Sequence, residues 1–249
     1  MAQQRRVVVS GGGTGIGRAT AAAFAADGEH VTLIGRREDV LRTAVQEIED
    51  TCGKGLADHV AADLSDPAQV RAAAAHITAG GPVDVLVTNA GGNVAAGHDG
   101  TLEGIADGYL RNFHANVLTA VLLTEALLPH ISRPGGRIVH MSSIAAQRGP
   151  GSYGGAKAAV HAYTFELAQR VGADGITVNA VAPGFVGDTE FFGDRATPEF
   201  VASRVAQSLT GQPGRPAEIA AAVQYLAAPA AAYTTAQILH VNGGAALGR

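Results

Sequence analysis

The chain has 249 residues, 47% of them apolar, a formal net charge of −4 and a single cysteine, Cys52. The length suits one large α/β unit, and the apolar fraction is enough to fill a sizeable core. The mild acidity argues against a nucleic-acid partner, and the lone thiol excludes an internal disulfide and fits a reducing compartment. No uncharged apolar run reaches the ~18 residues that would predict a membrane span.

In chain order, Arg5-Arg6 leads directly into Val7-Val8-Val9, a buried-strand pattern. No signal peptide is therefore expected, and the expected location is the cytoplasm. Further short β-branched runs are predicted as strands at 31–34, 58–62, 83–88, 137–141, 176–181 and 238–241. Alanine-rich stretches between them are predicted as helices at 16–26, 39–52, 67–79, 102–130, 153–171 and 216–227. Strand runs without polar alternation are buried on both faces, as in parallel sheets. Their alternation with helices predicts a single-domain, doubly wound parallel sheet, a Rossmann fold of about seven strands with helices on both faces. The expected domain is 1–249. Residues 186–212 contain no strand pattern but include Phe191, Phe192 and Phe200, and are read either as a substrate lid or as a packed surface helix.

The first strand runs into Ser10-Gly11-Gly12-Gly13-Thr14-Gly15-Ile16-Gly17 and then a helix. Glycines let the backbone turn tightly and approach a phosphate, and the following helix offers free N–H groups and a partial positive charge. In the strand–turn–helix setting this reads as a dinucleotide site. At the end of the second strand an acid would accept from the adenosine ribose and select NAD, but this chain has Gly35-Arg36-Arg37. Two guanidinium groups suit a 2′-phosphate, so NADP is expected, with NAD as the alternative if Glu38 and Asp39 neutralise them as solvated helix-start residues.

Tyr153 and Lys157 lie four residues apart, hence on one helix face, with Ser142 and Ser143 upstream. Only Lys54 and Lys157 among eighteen basic residues are lysines, so a compact cation at this place hints at a chemical requirement; the other reading is an incidental surface lysine. A cation one turn away is expected to lower the phenol's pKa, giving a general acid/base for a carbonyl or an alcohol. His98, His114, His140 and His161 have no metal-site spacing, and no metal is expected.

These residues together resemble the short-chain dehydrogenase/reductase family in its single-domain branch, over nearly the whole chain from Val7 to Gly244. The glycine motif matches Ser10-Gly11-x-x-x-Gly15-x-Gly17, the adenine-contacting acid Asp63 followed by Leu64, and the Asn-Ala-Gly motif Asn89-Ala90-Gly91. Asn116 matches the asparagine of the long central helix, Ser143 the serine, Tyr153 and Lys157 the acid/base pair, and Pro183-Gly184 the turn after the sixth strand. The resemblance implies cofactor contacts from Gly11, Thr14, Gly15, Ile16, Gly17, Arg36, Arg37, Asp63, Leu64, Asn89, Ala90, Gly91, Tyr153, Lys157, Pro183, Gly184, Val186 and Thr189. It also implies a catalytic set of Asn116, Ser143, Tyr153 and Lys157, hydride exchange with a ketone, 3-oxoacyl compound or secondary alcohol, and a homotetramer or dimer. A non-catalytic dinucleotide sensor on the same scaffold would not need that set.

Three departures stand out. Nine residues separate Ser143 from Tyr153, fewer than the family's usual gap, and the stretch holds Gly149-Pro150-Gly151. Asp188 occupies the place where the family often has a threonine, with Thr189 next, which implies either a one-residue bulge or an altered contact. Ala236 stands where a glycine is common, a change expected to bear mainly on packing.

Overall fold

The computed structural model describes residues 4–95, 97–149 and 151–247. Seven strands form one all-parallel sheet: β1 (Arg6–Ser10), β2 (His30–Gly35), β3 (Ala57–Ala61), β4 (Val85–Thr88), β5 (Arg137–Met141), β6 (Thr177–Pro183) and β7 (Ile238–Val241). Their order is β3-β2-β1-β4-β5-β6-β7. The order in which strands are added reverses between β1 and β4, and this is where open α/β sheets bind ligands, beyond the carboxyl ends of the strands.

Side-chain alternation splits the buried strand residues between two cores. Val7, Val9, Leu33 and Val87 face one layer, made by α1 (Gly15–Ala26), α2 (Glu38–Cys52) and, further along the chain, the helix Pro216–Ala227. Val8, Ile34, Leu86 and Ile138 face the other, made by α3 (Pro67–Ala79), a helix at Thr119–Leu127 and a helix at Gly151–Val171. This is why the strands read as continuous apolar runs.

The long helix expected at 102–130 is broken. It comprises α4 (Leu102–Phe113), a π-helical turn over His114–Leu118, α5 (Thr119–Leu127) and a short 3₁₀ turn. Thr101 starts α4 by accepting from the Gly104 N–H at 3.0 Å. Val83 lies outside β4 and makes an isolated bridge to Ile131. β3 and β6 are displaced by a residue or two from their expected bounds, within the usual blur of element ends. Between β5 and β6 lie a one-turn helix, α6 (Ala145–Arg148), and α7 (Gly151–Val171); Pro150 falls outside the described residues. The segment 186–212 carries α8 (Pro198–Val205), and α9 (Pro216–Ala227) follows, its start capped by Glu218 accepting from the Arg215 N–H at 2.8 Å.

Candidate active site

A crevice of about 420 Å³ opens at the carboxyl ends of β1, β2 and β4. Gly11, Thr14, Arg36, Arg37, Asp63, Leu64, Ala90 and Gly91 line it, and so do Val94, Arg111 and His114. Gly11 (φ 64°) and Gly15 (φ 51°) bend the loop in conformations that side chains resist. Gly17 answers a different need: a Cβ there would stand 2.0 Å from the Gly11 carbonyl oxygen, so α1 is pressed against the loop that starts it. Thr14 sits at the N-cap in an extended conformation without a side-chain cap bond, and Gly15, Ile16 and Gly17 form a first turn with no acid. The positive end of α1 is therefore not neutralised from within. Asn89 ties the loop to β4: its backbone N–H donates to the Ser10 hydroxyl at 2.9 Å, and its side-chain amide to the Ser10 and Gly11 carbonyls.

Asp63 is held ionised below the usual carboxylate range, first by hydrogen bonds from the Ser65 hydroxyl (2.7 Å) and N–H (2.9 Å), with Arg36 adding a favourable charge. Arg37 pairs with neither Glu38 nor Asp39. Its Nη2 donates to Oε2 of Glu190 at 2.8 Å, across from the segment after β6.

Asn116 lies inside the π turn and is buried. Its amide donates to the carbonyls of Gly92 (2.8 Å) and Asn112 (2.9 Å), and its Oδ1 accepts from the Gly92 N–H at 3.1 Å. The widened helical turn is what turns this side chain onto the loop after β4. Asn112, one turn earlier and fully buried, extends the network by accepting from the Val94 N–H and donating to the Ser152 hydroxyl at 2.8 Å, next to Tyr153. The spacing Asn112–Asn116 on one helix face was the available sequence signal for this second asparagine.

Tyr153 falls in the first turn of α7, with Lys157 one turn on; the Nζ of Lys157 is 5.8 Å from the centre of the phenol ring. The expected depression of the phenol pKa is not found. Burial pushes Tyr153 up to about 12, opposed by the neighbouring Ser143 hydroxyl. Burial pushes Lys157 down to about 8. Desolvation penalises both charged forms, and the ammonium is aimed instead at the Met141 carbonyl oxygen, 2.9 Å away. The two serines diverge as their strand positions require. Ser143 stays beside Tyr153 and accepts from the Ala145 N–H at 3.1 Å, whereas Ser142 is buried with its Oγ 2.6 Å from Nε2 of His161.

The short segment between the serine and the tyrosine is anchored through Arg148, which donates to the Ala245 carbonyl and to Oε1 of Gln207 at 2.9 Å. After β6, Gly184 packs against Asn242 and Val186 bridges Gly214. Asp188 adopts a left-handed conformation (φ 53°). Thr189 thereby reaches the glycine loop: its Cγ2 is 3.4 Å from the point a Cβ on Gly15 would occupy. The Phe191 ring lies 5.7 Å from that of Tyr153, and Phe192, Phe185 and Phe200 stack behind it.

A family model described as enoyl-(acyl carrier protein) reductase matches residues 11–246. The chain belongs to the short-chain dehydrogenase/reductase family. It is thereby an oxidoreductase of a family whose enzymes depend on NAD(P). Among its relatives, a galactitol 2-dehydrogenase (L-tagatose-forming) of Cereibacter sphaeroides is 36% identical, over 95% of this chain and 92% of that one. A 3-oxoacyl-[acyl-carrier-protein] reductase of Vibrio cholerae is 34% identical over 95% of both. A crystal structure of a variant of actinorhodin polyketide ketoreductase with NADPH superposes with a TM-score of 0.84 at 30% identity, covering 98% of this chain and 99% of that one. A dehydrogenase/reductase from Sinorhizobium meliloti superposes at 0.86 with the same identity, over 98% and 95%. Within the short-chain dehydrogenase/reductase scaffold, this chain carries the one-turn α6, the left-handed Asp188 and the Arg37–Glu190 pair.

Proposed function

We propose that the chain reduces a ketone or 3-oxoacyl carbonyl, or oxidises the corresponding secondary alcohol, with NADP(H). The observation that carries this is the grouping of the Tyr153 phenol with Ser143 and with Lys157 one helical turn away. The crevice fits a dinucleotide: glycines where a side chain would collide, an uncapped helix start for the pyrophosphate, Asp63 and Leu64 for the adenine side, and two arginines at the ribose end. Gly91, Pro183, Gly184, Val186 and Thr189 would close on the nicotinamide half.

The nicotinamide, when bound, gives or takes the hydride. The chain's own residues manage position and protons. In reduction the Tyr153 phenol, protonated at neutral pH, donates to the substrate oxygen while the Ser143 hydroxyl hydrogen-bonds the same oxygen as charge builds on it. Lys157 would hold the nicotinamide ribose, and Asn116 would keep the widened turn and support proton relay from Lys157. Residues 186–212 serve as the lid, and the phenylalanines clustered beside Tyr153 suit an apolar or acyl ketone. We further infer one domain, a cytoplasmic location and a homotetramer or dimer; none of the described helices is long and apolar enough to cross a membrane.

A second reading, an NAD-dependent alcohol dehydrogenase, draws support from the pairing of Arg37 with Glu190, which takes up a guanidinium that a 2′-phosphate would need. Titrating both cofactors and following reduced-nicotinamide absorbance against a ketone panel separates the two. Tyr153→Phe should lower turnover by about 10²- to 10⁴-fold while leaving cofactor affinity intact. Near-normal turnover of every substrate in that variant would refute the assignment.

A further inference from the structure

Three consecutive residues after β6 touch three different parts of the site. Thr189 leans on Gly15, Glu190 pairs with Arg37 at 2.8 Å, and Phe191 packs against Tyr153. The left-handed Asp188 bends the chain just before this triplet. Arg37 itself lines the crevice. Glu190 thus places a carboxylate at the arginine expected to read the adenosine ribose.

We propose that Glu190 is a cofactor-specificity residue that weakens binding of the 2′-phosphorylated dinucleotide relative to the unphosphorylated one. The proposal rests on the reading that Arg36 and Arg37 face the adenosine ribose. The physical ground is competition. A guanidinium presents one planar fork, which pairs with a carboxylate or with phosphate oxygens through the same N–H groups. A 2′-phosphate must displace Glu190 from Arg37, and the displaced carboxylate remains on the lid, close enough to repel it. A ribose 2′-hydroxyl brings no charge and leaves the pair in place. The pair is exposed, with side-chain exposures of 57% and 65%, so the effect is modest and sensitive to salt.

The test is calorimetric or fluorescence titration of NADPH and NADH on the parent, Glu190→Gln, Arg37→Ala and the double variant. Glu190→Gln should tighten NADPH by about three- to fivefold, the scale of one exposed ion pair, and leave NADH nearly unchanged. The gain should fade at high salt and shrink in the Arg37→Ala background, where only the direct repulsion remains to be relieved. If Glu190→Gln shifts both cofactors alike, or gains as much without Arg37, the proposal is overturned. A parent that binds NADH more tightly than NADPH would contradict the NADP reading, yet the change in the ratio of the two affinities still decides the role of Glu190. If Arg37→Ala leaves that ratio unaltered, both fall together.

Discussion

The Nζ of Lys157 donates to the carbonyl oxygen of Met141 at 2.9 Å while standing 5.8 Å from the centre of the Tyr153 ring. This geometry buries a cation with no carboxylate paired to it among the described residues, and burial drives its pKa from 10.5 down to about 8. Between those values the unfolded chain holds one proton more than the folded chain, so stability rises with pH across that window. Below pH 8 the cost is present in full, roughly 3 kcal/mol at 1.36 kcal/mol per pKa unit. Lys157→Met removes that pH dependence. Its stability relative to the parent should therefore decline by about that amount from neutral pH to pH 10.5, as read from urea midpoints. A constant difference across the range would contradict the burial account.

The phenol of Tyr153, pushed up to about 12, is a ready proton donor at neutral pH and a scarce base. Alcohol oxidation should therefore accelerate with rising pH, by up to about tenfold per pH unit, while ketone reduction should not. Initial rates in both directions across neutral and mildly alkaline pH decide this. An oxidation rate that is flat through the range would mean that the phenol is already ionised.

Asn116 satisfies the Gly92 N–H and the carbonyls of Gly92 and Asn112 with one buried side chain. Truncation leaves those groups without that partner, at a cost of about 1–3 kcal/mol for each one left buried and unsatisfied. Asn116→Ala should lose about 3 kcal/mol in chemical denaturation and weaken cofactor binding, because Gly92 adjoins the crevice-lining Gly91. Unchanged stability would show that the π turn holds without it.

Ala236 adopts φ 55°, a left-handed conformation that costs an L-residue roughly 1–2 kcal/mol. Its N–H donates to the Val178 carbonyl at 2.8 Å, which holds the residue in place just before β7. Ala236→Gly relieves the strain but loosens the unfolded chain, for a net gain of up to about 1 kcal/mol. That corresponds to roughly 2–4 °C in melting temperature for a chain of this size. A lower melting temperature would mean that the alanine methyl contributes packing worth more than the strain.

Much of the fold was legible because the signals are local. Val7-Val8-Val9 of β1 and Val85-Leu86-Val87 of β4 are apolar without alternation, and strands buried on both faces write themselves that way. The break within 102–130 was not legible, since a π turn leaves the helical apolar pattern running through it. The spacing of Tyr153 and Lys157 was readable, but the direction of the phenol's shift was not. Spacing reports proximity, whereas desolvation depends on everything packed around the pair. The contact of Arg37 with Glu190 joins residues 153 positions apart, so the neighbours Glu38 and Asp39 were the acids that local reading offered instead. At Asp188 the left-handed turn was not legible, because backbone handedness in a loop is set by what packs around it rather than by residue type alone.

Arg148 moors the stretch between Ser143 and Tyr153 to Ala245, beyond the last strand, and to Gln207, just past α8. The stretch that joins the reacting groups is thus held in part by the segment that follows β7. Arg148→Ala releases that mooring and should disturb turnover through the stretch that carries Ser143 to Tyr153, with cofactor affinity less affected.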